Sequence, residues 1–104
     1  MTGAAGGSRI PTATIQSLIH VLDQGMSSHD SLAQPRLHDQ LIPNVLFLES
    51  TFDNQTIEFL KGRGHNVSTL LIGSSAVQSV RLLPNETFEA AGEPRQFASG
   101  GFAI

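Results

Sequence analysis

The sequence predicts an α/β (α+β) fold. Three observations carry that expectation. Pro11 to Gln24 shows the apolar spacing of an amphipathic helix. Val45 to Glu49, Val67 to Ile72 and Val77 to Leu83 are apolar runs of strand length. Glycines, prolines and helix-capping residues separate these runs. The expected order is helix, helix, strand, helix, strand, strand, strand. At 104 residues the chain is expected to be one small domain or a piece of a larger one.

The chain opens on Gly3-Ala4-Ala5-Gly6-Gly7-Ser8-Arg9-Ile10, which runs into the first helix. A glycine pair at the start of a helix leaves backbone N–H groups uncovered by side chains. With the positive end of the helix dipole behind them, such donors can hold a developing negative charge. In acyl transfer that place is an oxyanion hole. The plain alternative is a flexible leader.

Pro11 suits the first helical turn, where its missing N–H costs nothing. Ala13, Ile15, Leu18, Ile19, Leu22 and Met26 are expected to face inward, with Gln16, Ser17 and Gln24 off that face. His20 is expected on the polar side or its margin, and Gly25 as the stop. Ser28 is expected to cap a short helix from His29 to about Gln34, ended by Pro35.

Pro35 to Asn44 is bounded by prolines and too irregular for a long helix or strand. Arg36, His38, Asp39 and Gln40 crowd polar groups between apolar neighbours, so a buried or half-buried hydrogen-bond network is expected. A catalytic His–Asp pair is the alternative, but adjacent residues seldom face each other in extended chain.

After the strand at Val45 to Glu49, Asp53 can cap a helix from Asn54 to about Gly62, with Ile57 and Leu60 inward and Gly64 as its stop. Gly73-Ser74-Ser75 reads as a turn or bulge, less readily as an anion nest. Val77 to Leu83 is apolar on both faces, as in a strand covered on both sides. Pro84-Asn85-Glu86 makes a turn, and Thr87 to Ala91 returns as a hairpin arm. Gly92-Glu93-Pro94-Arg95 ends it. Gln96 to Ile104 is a glycine-rich tail whose Phe97 and Phe102 could lie extended against the body.

Composition narrows the function. Charged residues make up 14% of the chain, against about 25% in an average soluble protein. Part of the surface is therefore expected to be covered by something else. The net charge of −3, with six Lys plus Arg and no basic run, argues against nucleic acid and anionic membranes. No apolar run is long enough to span a bilayer. Without Cys there is no disulfide and no cysteine metal site. His20, His29, His38 and His65 lack zinc-site spacing, so neither a metal nor another cofactor is expected.

Asn54-Gln55-Thr56, Asn66-Val67-Ser68 and Asn85-Glu86-Thr87 are N-x-S/T sequons. They make Asn54, Asn66 and Asn85 candidate glycosylation sites and point to the secretory pathway: extracellular, cell-surface or vacuolar. No signal peptide follows Met1, so that reading expects the chain to be part of a longer protein. Thr2 would become an N-terminal nucleophile if Met1 were removed, with its own amine as base. Gly3-Ala4-Ala5 supply it with no neighbouring hydroxyl or imidazole.

Gly3 to Thr14 resembles the glycine-pair loop and following helix of the gamma-glutamyltranspeptidase (glutathione hydrolase) small subunit. Pro35-Arg36-Leu37-His38-Asp39-Gln40-Leu41-Ile42-Pro43-Asn44 resembles that family's proline-arginine-x-histidine-x-glutamine block, in the right order and at about the right distance. Gly62 to Val67 is similar to its helix-end glycine block, and Glu93-Pro94-Arg95 to its closing acidic-proline-arginine element. The tail departs from the family's Gly-Tyr ending.

The resemblance covers essentially the whole chain. It implies that residues 1–104 form a single partial domain, a fragment of an αββα N-terminal-nucleophile hydrolase sandwich. It implies gamma-glutamyl transfer from glutathione or other gamma-glutamyl compounds to water, amino acids or peptides. By matching position, Gly6 and Gly7 would be the oxyanion-hole and substrate-contacting glycines. The family's catalytic Thr motif and serine pair are not present, so the chain alone is expected to be inactive. Its implied partners are the remainder of the small subunit and the large subunit. A non-enzymatic stand-alone α/β module remains the alternative.

Overall fold

The structure is a computed structural model that describes residues 1–71, 73–96 and 100–102. Two three-stranded sheets share the chain. The first is antiparallel, in the order β1 (Thr2–Ala5), β5 (Ala76–Leu82), β6 (Phe88–Ala91). The second is nested inside it in sequence: β2 (Leu37–His38) runs antiparallel to β3 (Leu46–Glu49), which is parallel to β4 (Val67–Leu70). Helices α1 (Ile10–Leu22) and α2 (Ser28–Ala33) lie on one face of the first sheet, and α3 (Asn54–Gly62) crosses over from β3 to β4. The mixed α/β class matches the expectation, and the 3-to-4 crossover supplies the helix that parallel strands require.

Two strands carry no strand signal of their own. β1 is Thr-Gly-Ala-Ala, without alternation or bulk, and it exists because β5 offers it a ladder: Ala4 pairs Val77 and Thr2 pairs Ser79. Met1 continues the ladder, its ammonium donating to the Val80 carbonyl at 2.7 Å while Val80 N–H donates to the Met1 carbonyl at 2.8 Å. β2 is a two-residue bridge inside the polar Pro35–Asn44 block.

Helix ends follow their capping chemistry. Asp53 accepts from Thr56 N–H at 2.9 Å and from the Thr56 hydroxyl at 2.6 Å, as expected of an N-cap. In α2 the cap is Ser27, one residue earlier than expected; its Oγ accepts from Asp30 N–H at 3.1 Å, while Ser28 lies inside the helix, fully buried.

The core of the first sheet is Ala13, Leu32, Val77 and Ala91, with Ala4 packed against it. The face of α1 that it uses corrects the sequence reading. Ala13, Ser17 and Val21 are buried, whereas Ile15, Leu18, Ile19 and Leu22 are 42–71% exposed. Small residues let the helix sit close to the strands and to α2. Ser17 does so at little polar cost, because its buried hydroxyl is paired with the Ser31 hydroxyl at 3.3 Å. β5 also departs from expectation. Val77 and Ser79 are buried, but Val80 and Leu82 on the opposite face are 43% and 60% exposed. Among the described residues, helices cover the sheet on one side only. The strand read over Val67 to Ile72 ends at Leu70, and Ile72 itself lies outside the described residues, as do Phe97, Ala98, Ser99, Ala103 and Ile104 of the tail. Gly101 passes against the backbone of Ala90 and Ala91, where a Cβ would come within 2.7 Å.

Candidate functional site

Gly6 and Gly7 turn the chain from β1 into α1, and each has backbone angles that side chains resist. Gly6 has φ 134° and Gly7 φ 63°. A Cβ on Gly6 would stand 2.7 Å from the Ser74 carbonyl oxygen, so only glycine lets β1 cross this close to the Gly73–Ser75 turn. A Cβ on Gly7 would meet nothing within 4 Å. The first position is thus glycine for packing, and the second opens onto free space. Gly7–Arg9 forms one turn of 3-10 helix, closed by Arg9 N–H donating to the Gly6 carbonyl at 3.2 Å, and α1 follows directly. Among the described residues, the N–H groups of Gly6 and Gly7 donate to no backbone or side-chain acceptor. Two free donors therefore stand at the positive end of a 13-residue helix.

The polar block behind this turn is a hydrogen-bond network, as expected, and not a His–Asp pair. His38 is buried on β2. Its Nδ1 lies 2.8 Å from the Thr12 hydroxyl and its Nε2 3.0 Å from Gln40 Oε1. Gln40 Nε2 donates to the Ile42 carbonyl, which orients the amide and makes its oxygen the acceptor facing His38. The ring nitrogen Nε2 accordingly carries a hydrogen. Asp39 turns away and accepts from Leu41 N–H at 2.8 Å. One turn further along α1, Gln16 binds both backbone groups of one β2 residue: its Nε2 donates to the Leu37 carbonyl at 2.7 Å and its Oε1 accepts from Leu37 N–H at 3.0 Å.

Arg36 belongs to a second group that sequence spacing did not disclose. It forms a buried ion pair with Glu93 at 2.6 Å, and Arg95 pairs with Glu93 at 2.9 Å and with Glu49 at 2.6 Å. The Arg95–Glu49 contact is bidentate, with Nε donating to the second Glu49 oxygen at 2.8 Å. Spare donors are used as well: Arg36 reaches the Leu32 and Ser75 carbonyls, and Arg95 the Leu32 and Gln34 carbonyls. Glu93 also accepts from Val77 N–H at 2.7 Å. Burial alone would raise the Glu93 carboxyl, but its bonds from Arg36, Val77 and Arg95 outweigh that and hold it below the usual carboxylate range. The cluster clasps the two sheets together. Through Ser75 it also holds the wall on which Gly6 rests.

Other candidate residues are not brought to this place. The Thr2 hydroxyl donates to the Gln78 carbonyl at 3.2 Å from within β1, roughly 13 Å of extended chain before Gly6. The three sequon asparagines are exposed at separate points: Asn54 opens α3, Asn66 precedes β4 and Asn85 lies in the β5–β6 turn. Asn85 Oδ1 already accepts from the N–H and hydroxyl of Thr87. His29 and His65 are exposed and far apart in the chain.

The gamma-glutamyltranspeptidase family pattern matches residues 1–102. A glutathione hydrolase proenzyme of Arthroderma benhamiae is 49% identical over 104 residues, which is all of this chain and 18% of that protein. A glutathione hydrolase of Aspergillus flavus is 40% identical over 101 residues, 97% of this chain and 17% of the relative. The chain thus spans less than a fifth of the length of these curated relatives. An acivicin-inhibited gamma-glutamyltranspeptidase superposes with a TM-score of 0.85 at 27% identity, over 93% of this chain and 53% of that one. Helices on sheet here follow the same path as in that N-terminal-nucleophile hydrolase fold, of which this chain forms a part.

Proposed function

Because the chain belongs to the gamma-glutamyltranspeptidase family, we propose that it supplies the oxyanion-binding turn of a larger enzyme. That enzyme would transfer the gamma-glutamyl group of glutathione, or of another gamma-glutamyl compound, to water or to an amino acid or peptide acceptor. The single observation that carries this reading is the pair of free N–H groups on Gly6 and Gly7 at the start of α1. Attack of a nucleophile on the gamma-carbonyl carbon turns its oxygen into an alkoxide. Two preorganised amides aimed at that oxygen stabilise the tetrahedral state more than the starting carbonyl. The nucleophile would come from the remainder of the small subunit, and contacts to the charged end of the substrate from the large subunit. The exposed apolar faces of α1 and of the β1–β5–β6 sheet support docking of both. The same reading makes Asn54, Asn66 and Asn85 glycan acceptors of an enzyme in the secretory pathway, and their exposure supports it.

The test removes one donor without adding a side chain. This chain replaces the matching segment of the Arthroderma benhamiae relative, and glycolic acid replaces Gly7, exchanging its amide N–H for an ester oxygen. No Cβ is added, so the left-handed backbone is not strained. Loss of one oxyanion donor is expected to lower kcat by about 10²–10³-fold with KM little changed. An unchanged kcat in the ester protein would remove Gly7 from the site.

A further inference from the structure

We propose that Thr12 is a positioning residue for the Gly6–Gly7 turn, holding that turn in place through His38. The inference rests on the oxyanion reading of the glycine pair and deepens it. Helix α1 is tied to β2 at two levels. Gln16 makes the outer tie, with two bonds to Leu37. Thr12 makes the inner one, at 2.8 Å from His38 Nδ1, in the first turn of α1. The same hydroxyl lies 3.2 Å from the Arg9 carbonyl, and Arg9 N–H closes the glycine turn on the Gly6 carbonyl. One oxygen therefore sits between a buried imidazole and the peptide that ends the turn.

His38 is itself immobilised. Its Nε2 is held by Gln40, which is held by Ile42. With its Nε2 carrying the hydrogen, His38 accepts the Thr12 hydroxyl at Nδ1, so hydrogen bonds lead without a break from Ile42 through Gln40 and His38 to Thr12 in the first turn of α1. Gly7 has open space where a Cβ would be, so among the described residues nothing packs on the turn from that side to hold it. Gly6 is fixed against Ser74, but Gly7 depends on the peptide after it. A turn with one packed glycine and one free glycine can pivot, and the Thr12–His38 pair stands at the end opposite the packed one. Small displacements of a reacting group are costly, because a shift of about 1 Å lowers turnover on the order of a hundredfold.

The experiment is a cycle in the same hybrid enzyme, combining Thr12→Val with the Gly7 ester. Thr12→Val keeps shape and removes the hydroxyl. It is expected to lower kcat by about tenfold or more with KM little changed, and Thr12→Ser is expected to recover most of that loss. In the ester protein the same substitution is expected to cost much less, because the donor it positions is already gone. If the ester lowers kcat but Thr12→Val lowers only the melting temperature, or multiplies fully with the ester, Thr12 is structural and the glycine reading stands without it. If the ester changes nothing, the glycine reading fails and this inference with it. Should Thr12→Val not fold, His38→Asn and His38→Gln decide the same point. An Asn amide reaches the position of Nδ1 and keeps a partner for Thr12, whereas a Gln amide reaches that of Nε2. Higher kcat in His38→Asn is expected, and equal loss in both overturns the proposal.

Discussion

His20 shows how one side chain on α1 makes stability depend on pH. Its Nδ1 is buried without a partner among the described residues. Burial lowers its pKa from the ordinary 6.5, and the positive charge of Arg36 acts in the same direction, with the Ser31 backbone opposing. The folded chain thus favours the uncharged ring, while the unfolded chain takes up a proton near 6.5. Stability present above that pH is lost as pH falls through it toward the lower folded value. Asp53, Glu89 and Glu93 are held below their ordinary 3.8 and 4.5, so their contributions are lost only in more acid solution. The urea midpoint is expected to fall between about pH 7 and about pH 5.5, and His20→Gln to flatten that slope. Residues like this were only half legible. A turn at Gly6 and Gly7 ahead of the helix could be read because adjacent glycines mark such a break locally. The partner of His38 could not, because Thr12 lies 26 positions away and nothing in composition couples them.

At the level of elements, the clasp of Arg36, Glu49, Glu93 and Arg95 holds β3, the segment after β6 and the turn before β5 to one another. Glu93 is fully buried, so removing its charge leaves two guanidinium groups without their common partner. Glu93→Gln is expected to cost about 3–5 kcal/mol in equilibrium unfolding, a large share of the stability of any domain this size. Lys61→Ala is the contrast. Its pair with Glu58 is exposed on α3, and its loss is expected to cost less than about 0.5 kcal/mol. Equal effects would show that the clasp is not the fastening it is taken for. Sequence revealed α3 and its cap because their signals are local: Asp53 and Thr56 are three residues apart. It hid β1, whose four small residues become a strand only against β5. It also misdirected α1. The bulky Ile15, Leu18, Ile19 and Leu22 form the conspicuous stripe, yet Ala13 and Ser17 make the close approach to the strands.

As a whole the molecule is drawn out. Its radius of gyration is 14.5 Å, against about 13 Å for a compact domain of this length. Ile15, Leu18, Ile19 and Leu22 on one side, and Val80, Leu82 and Phe88 on the other, present apolar surface that the described residues do not cover. The chain alone is expected to self-associate, with a sedimentation coefficient that rises with concentration. Leu18→Lys together with Leu82→Lys is expected to restore monomers, and a monomer at all concentrations before substitution would show the faces to be harmless. The nested sheets have a consequence in time. Met1 and Val80 bond to each other from positions 79 apart, around the whole of the second sheet. A ribosome adding about 5–20 residues per second needs roughly 4–16 s between making the first and making the second. Through that interval β2, β3, β4 and α3 can assemble from neighbouring sequence, while β1 has no ladder and Gly6 has no Ser74 to rest on. The glycine turn therefore gains its wall only once Ser74 has been made, 68 residues after Gly6 (74 − 6).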